Sequence, residues 1–521
     1  MIMEHLPILV VAVPLFVAFA IPLIDKVGGG RYAKEGVTVG SLLFSLIGMI
    51  LLLKRVAALG PQVYVFGAAL PTLTLPTGMK VPIRIMFEVD GMSAFMALSG
   101  SIAALAAAIY SIAYLKDETG KDRFYVLFLL LVVGMLGMEL TGDIFNFFVF
   151  LEISSIASAA LVAFRYYKAE SIEAAIKYMV VGSLSALFVL IAVGFLYGKY
   201  DALNFAAIAK RMEFSWADKI ALALLVVSLA LKCGAVPLHM WLPDAYAEAP
   251  ASVTALLVSV SQASLYGLFR VCFSLFGVKM STLTVGWIVI IFGVLSMFIG
   301  VTMALVQKEI KRLMAFHAIS QTGYMLLGVG VGLAVLGNPF DLKSYGLMAM
   351  KGGIFHIINH AMYKGLLFLT AGAVFYRAGT RDLNKLGGLA HNMPWTTVYF
   401  IIGAAAIAGL PPFNGFASKL MIYESVYKFN PILSIMAMIV SVLTLASFVK
   451  IFQSAFLGPQ LPEYKDIKEA PMSMLVGMGI LAFVVVFFGL FPELIVRTIV
   501  DPAAKALVDQ ASYISKVMGG M

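Results

Sequence analysis

Apolar positions fill the chain in long blocks, and polar positions crowd into the gaps between them. Runs near the 20 or so residues that cross a bilayer core fall at 6–25, 36–57, 88–115, 123–141, 143–164, 175–198, 217–241, 250–273, 281–305, 311–333, 346–376, 394–411 continuing to 428, 431–456 and 472–495. The pattern predicts an all-α polytopic membrane protein with about fourteen transmembrane helices. The opening residues MIMEH carry no basic residue and no convincing cleavage site follows, so the first run is counted as a span and not as a removable signal. One stretch breaks the helical pattern. Between 58 and 86, VYVFG and VPIRIMFEVD flank the Pro- and Gly-rich PTLTLPTG, which predicts a β-hairpin near 62–87 on the outer surface. The residues from Arg497 onward read as a short, partly amphipathic tail.

Two spans are interrupted. The seventh contains Pro237, and the twelfth contains GLPPFNGF, where Pro411, Pro412 and Gly415 do not all fit a regular helix. The breaks lie five spans apart. A five-helix unit that recurs begins its second copy on the opposite face of the membrane, so helices 4–8 (123–273) and 9–13 (281–456) are expected to form two inverted repeats with helices 7 and 12 broken, an architecture in which broken helices line an ion route. Residues 1–122 precede the repeats, and 472–521 follow as the last helix and tail.

Composition narrows the function. Of 521 residues, 61% are hydrophobic and 12% charged, against about 25% charged in soluble proteins. The net charge of +9 sits in loops and helix ends, where it suits anionic lipid headgroups; no basic tract speaks for nucleic acid. Counting Lys and Arg loop by loop, the connections holding Lys26, Arg31 and Lys34; Lys116, Lys121 and Arg123; Arg165 and Lys168; Lys308, Lys311 and Arg312; and Arg377, Arg381 and Lys385 face the inside, which puts both termini outside. Lys199, Lys210, Arg211 and Lys219 oppose that assignment. Cys233 and Cys272 make no ligand spacing, and no phosphate-binding loop, nucleophile triad or cofactor motif occurs. Energy must enter from a gradient or a partner.

Ionisable residues at membrane depth cost about 2.5–3.5 kcal/mol each even on insertion scales, so they need partners and a reason. Glu152 lies near the middle of the fifth span, in FVFLEI, and Lys232 lies in the seventh, in LALKCGAVPLHMWLPDA. They form either a fixed pair stapling two helices or a switchable one, the nearby Pro237 freeing carbonyls and admitting water. In MKGGIFHIINHAMYKGLLFLTAG, His356, His360 and Lys364 recur every fourth residue along one helix face. Two histidines at that spacing resemble a zinc pair, but Ile357 stands where a zinc hydrolase has Glu and no third ligand is evident; a proton wire fits better. Lys419 follows the second break. Lys177, in AAIKYMVVGS, is nearer a helix end, where snorkelling to the headgroups competes.

These motifs, with VDGMSA at the third span, resemble the antiporter-like subunits shared by respiratory complex I, Mrp-type Na+/H+ antiporters and membrane-bound hydrogenases, and in length the Mrp D-type or hydrogenase H-type subunit. The resemblance implies two inverted half-channels joined by a polar axis at mid-membrane, with Glu152 and Lys232 as the pair of the first half, Lys419 as the terminal site of the second, and Lys364, His356 and His360 between. It implies a proton-translocating subunit of a cell-membrane complex, coupled to redox chemistry or a sodium gradient supplied by other membrane subunits, with no cofactor or catalytic centre in this chain. Sodium is the other candidate ion, but a line of lysines suits protons, since a protonated lysine repels a metal cation. One position departs. Many members carry a lysine or histidine four residues before the tyrosine of YGL in helix 8, and VSQASLYGLFRV has Gln262 there. A glutamine hydrogen-bonds water without holding a proton charge, so the alternative is a structural scaffold that has lost pumping.

Overall fold

The computed structural model describes residues 3–26, 32–67, 73–74, 80–81 and 85–518. The chain opens with α1 (Leu6–Lys26), α2 (Ala33–Leu59), strands β1 (Gln62–Val65), β2 (Leu73–Thr74), β3 (Lys80–Val81) and β4 (Met86–Val89), then α3 (Gly91–Tyr114). Next come α4 (Lys121–Leu140), α5 (Ile144–Val162), α6 (Ala169–Tyr200), the short α7 (Phe205–Arg211), α8 (Trp216–Lys232), α9 (Leu242–Glu248) and α10 (Ala251–Phe269), which runs on as a π-helix over Arg270–Phe276. Then follow α11 (Thr282–Val306), α12 (Ile310–Ala334), the single turn α13 (Pro339–Asp341), α14 (Leu347–Ala378), α15 (Pro394–Ala408), α16 (Asn414–Phe429), α17 (Pro431–Ile451), α18 (Met472–Leu490), α19 (Pro492–Ile495), α20 (Asp501–Val508) and α21 (Gln510–Met518).

Ten helices among the described residues are long and apolar enough to cross a membrane. The others, α8, α12, α14, α15 and α16 chief among them, are too short or too polar. Their environment explains how they are tolerated: almost every residue of α12 and most of α14 are buried, so protein replaces lipid around their polar groups. Among the apolar helices α3, α4 and α10 are also mostly buried, while others expose side chains such as Leu187, Ile191, Ile291, Val442 and Phe483. The chain is a predominantly helical, multi-pass membrane protein.

Both interruptions are real, and the first starts earlier than the proline that causes it. Pro237 has no N–H, and its ring clashes with the carbonyl four residues back; α8 accordingly stops at Lys232, Gly234 takes a left-handed φ of 74°, and helix resumes only at Leu242. The indole N–H of Trp241 donates to the Leu231 carbonyl at 3.0 Å. In the second break, Pro411 and Pro412 orphan the carbonyls of Ile407 and Ala408. Lys419 Nζ donates to the first at 2.7 Å and Ser441 Oγ to the second at 3.0 Å. The lysine thus occupies a carbonyl that the proline set free.

Close backbone contact marks α11 against α12. Gly286, Gly293 and Gly300, seven residues apart, share one face; a Cβ on them would lie 2.5 Å from Ala334 Cα, 2.8 Å from the Gly323 oxygen and 2.6 Å from the Ser320 nitrogen.

β1 pairs antiparallel with β4, from Gln62 opposite Val89 to Val65 opposite Met86, while β2 pairs with β3. Most of PTLTLPTG lies outside the described residues. The tail folds back over this pair: Tyr513 of α21 donates its hydroxyl to Glu88 Oε2, Asn204 donates to Oε1 at 2.7 Å, and the neighbouring Asp90 is bridged to Arg270 at 2.5 Å. Burial pushes the Glu88 carboxyl up to about 7, against the pull of Tyr513, Asn204 and Arg270. A carboxyl whose pKa is raised on folding contributes its stability below its unfolded value, and that contribution is lost as pH rises through the folded pKa. Between pH 5 and 8 the shift corresponds to about 3 kcal/mol. Glu88→Gln is therefore expected to melt above the wild type at pH 8, with the gap closing by pH 5; scanning fluorimetry of the purified protein at both pH values reads this, and a gap independent of pH contradicts it.

Candidate functional site

Lys232 ends α8 with its ammonium buried, 5% of the residue remaining exposed. Nζ donates to Ser155 Oγ, lies 5.4 Å from the centre of the Tyr178 ring, and has space because Gly182 carries no side chain: a Cβ there would come within 3.1 Å of it. Sequence reading paired this lysine with Glu152. Among the described residues the ammonium has no carboxylate in ion-pair contact; Glu152, one turn before Ser155 on α5 and half-buried, acts on it only through space. The serine hydroxyl, not the carboxylate, makes the hydrogen bond to the lysine. Ser154, Trp241, Tyr246, Ser261 and Ser264 line a cavity beside Lys232 with about 10 Å³ for water centres, close to the room one water needs.

Lys177 lies apart from this pocket. Its side chain is 46% exposed and bonded to Asp244 at 2.8 Å and Glu173 at 2.6 Å, and Asp244 also holds Arg312 at 2.6 Å. Asp244 belongs to α9, so this charged cluster grips the segment just after the first break. Lys311 and Arg381 grip its far end, both donating to the Ala247 carbonyl, where cations suit a helix C-terminus.

Gln262 of α10 makes a direct junction. Its Nε2 contacts His360 Nδ1 at 2.7 Å and the Ile357 carbonyl at 2.9 Å, both on α14. One turn back along α14, His356 Nδ1 contacts Ser418 Oγ at 2.9 Å, while Nε2 faces the Tyr363 hydroxyl at 3.1 Å and Gln321 Oε1 at 3.2 Å. Ser418 is next to Lys419, whose ammonium adds a bond to Ser441 at 3.0 Å and lies 4.8 Å over the Tyr324 ring. Lys364 turns the other way along α14, donating to the Met314 carbonyl at 2.5 Å between the rings of Phe368 and Phe448. Gln262, His356, His360, Lys364 and Lys419 are all buried. The structure brings Gln262, His360, His356 and Lys419 into one neighbourhood, ties Lys364 to the α12 backbone beside it, and keeps Lys232 in its own pocket.

Sequence reading misses the neutral members of this arrangement, namely Ser155, Tyr178, Gln321, Tyr324, Tyr363, Ser418 and Ser441, together with His317. Single serines and tyrosines on apolar helices carry no spacing signal. His317 does carry one, a histidine inside a span, but no second ionisable group recurs beside it in sequence to single it out.

Residues 141–444 match the family described as NADH:quinone oxidoreductase/Mrp antiporter, TM, and residues 76–125 match the N-terminal family of complex I chain 5. The chain is 33% identical to NADH-quinone oxidoreductase subunit N of Desulforudis audaxviator, covering 96% of this chain and 98% of that one. It is 30% identical to the D-type Na(+)/H(+) antiporter subunit of Alkalihalophilus pseudofirmus, over 99% and 100%. Its fold superposes on a chain of the Mrp complex from Dietzia with a TM-score of 0.87 at 27% identity, covering the whole of both. The matched segment contains both broken helices and every side chain described above from Glu152 to Lys419, and from these matches the chain is a membrane-embedded, antiporter-like subunit of the NADH:quinone oxidoreductase/Mrp antiporter family.

Proposed function

We propose that the chain moves protons through a buried line running from Glu152 and Lys232, by way of Gln262, to His360, His356 and Lys419, as one ion-translocating subunit of a multisubunit membrane complex. The observation that carries this reading is the Gln262 to His360 contact, which joins the helix after the first break to the helix packed against the second. Tyr363 and Ser418 extend the line by hydroxyls that both donate and accept. Lys177, with Asp244 and Arg312, forms its charged rim. The reading includes fourteen spans in two inverted five-helix repeats with both termini outside, α8–α9 and α15–α16 being the seventh and twelfth spans, and the segments 1–122, 123–273, 281–456 and 472–521 as units. Two relatives carry sodium and proton in their names, and a third is a hydrogenase component; on that footing the driving energy is a redox partner or a sodium gradient, delivered through other membrane subunits.

A scaffold without transport is the competing reading, and Gln262 separates them. Gln262→Leu strips His360 of the side-chain hydrogen bond it has among the described residues and is expected to cut proton flux about tenfold, while Gln262→Lys, which restores a protonatable group, keeps flux but shifts its pH dependence through repulsion of neighbouring lysines. Flux is read with a pH-sensitive dye in vesicles carrying the assembled complex. No flux in the wild type sinks the transport reading in favour of the scaffold; equal flux and an equal pH profile in all three place Gln262 off the path.

A further inference from the structure

We propose that His317 of α12 relays protons between Lys364 and Lys419, an inference that rests on the proton-path reading above. His317 is wholly buried, and among the described residues neither ring nitrogen has a hydrogen-bond partner. A neutral imidazole always presents one donor and one acceptor, so an idle ring inside a packed bundle needs a reason. Its surroundings supply one. Met314, whose carbonyl accepts from Lys364, lies three residues before His317 on the same helix face. Phe448 sits beside both: its ring centre is 5.0 Å from that of His317 and 5.8 Å from Lys364 Nζ. Two turns further along α12, Tyr324 lies beneath Lys419. The charged groups acting on the His317 ring are these two lysines, from α14 and α16.

Lys364 keeps two N–H groups beyond the one given to Met314, on a stem with four rotatable carbons. When it swings toward the ring, an N–H bond of the ammonium breaks and a new one forms on an imidazole nitrogen, leaving a neutral amine and an imidazolium. The imidazolium then releases the proton from its other nitrogen toward a neutral Lys419. No electrons are exchanged. This gives Lys364 a second outlet: besides His360, one turn away on α14 and within its electrostatic reach, His317 links it to the terminal lysine by a route that bypasses His356 and Ser418.

The test compares His317→Gln, His317→Leu and Lys419→Ala in vesicles carrying the assembled complex. His317→Gln keeps polarity without a titratable ring and is expected to lower flux at least tenfold and flatten the flux profile between pH 6 and 8. His317→Leu should lose flux equally while assembling and melting no lower than the wild type, because the ring makes no hydrogen bond to lose. Wild-type flux and pH profile in His317→Gln, with flux gone in Lys419→Ala, overturns the relay and leaves the proposed path standing. Retained flux in all three overturns both, and failure of both His317 variants to assemble assigns the ring to packing and overturns the relay.

Discussion

Lys232→Ala is expected to abolish proton flux, by a hundredfold or more, while the complex still assembles. The expectation follows from what holds the ammonium. Its contacts are a serine hydroxyl, an aromatic face and a cavity sized for one water, not a carboxylate clamp, so its removal breaks no ion pair between α5 and α8. α8 is held independently of Lys232, by the paired hydroxyls of Ser185 and Ser228 at 2.7 Å between α6 and α8. The site offers each protonation state of Lys232 a partner: Ser155 accepts from the ammonium and can donate to the amine. Vesicle flux together with gel filtration of the solubilised complex reads both halves of the prediction. A variant that assembles and pumps at the wild-type rate removes Lys232 from the path; one that fails to assemble returns it to the role of a staple.

At Lys419 the largest effect is expected from a substitution that preserves charge. Lys419→Arg keeps a cation beside the carbonyl freed by Pro411, yet a guanidinium does not release its proton in any protein setting. Flux is expected to fall by about a hundredfold, as deeply as in Lys419→Ala, although the arginine variant retains partners in Ile407 and Ser441. If positive charge alone mattered at the second break, for instance to satisfy the Ile407 carbonyl, arginine would restore flux and alanine would not. Side-by-side measurement of the two variants at one pH decides between proton exchange and electrostatic support.

The skeleton of the site was legible in the sequence because its signals are loud. Prolines inside apolar spans mark breaks, and lysines or histidines at membrane depth are rare enough to name without a structure. Even so, the first break begins at Cys233, not at Pro237, since the clash acts on the turn before the proline. The partners were not legible. Lys232 meets Ser155, 77 positions away, and Gln262 meets His360 across 98; such pairs are decided by which helices pack together. The reading of Gln262 as a weak link came from charge alone, and the side chain turns out to bond directly to the histidine stripe. Lys364, assigned by its spacing to the same file as the histidines, bonds to the Met314 carbonyl of α12 and to neither histidine.

The glycine seam between α11 and α12 bears on how such a molecule moves. Three levels of backbone contact without intervening side chains leave these helices no freedom to slide: a slip of one residue would drive Cβ atoms into main chain at each level. Gly353 repeats the constraint between α12 and α14, where a Cβ would lie 3.0 Å from the Met325 oxygen. The helices carrying Gln321, His317, His356 and His360 are thereby joined into a stiff strut. Sliding within this strut is blocked, so it moves only as one body. What can rearrange inside it are side-chain rotamers and ring tautomers, the former on picosecond to nanosecond timescales, so the proton route proposed above asks for no shift between the helices of this strut.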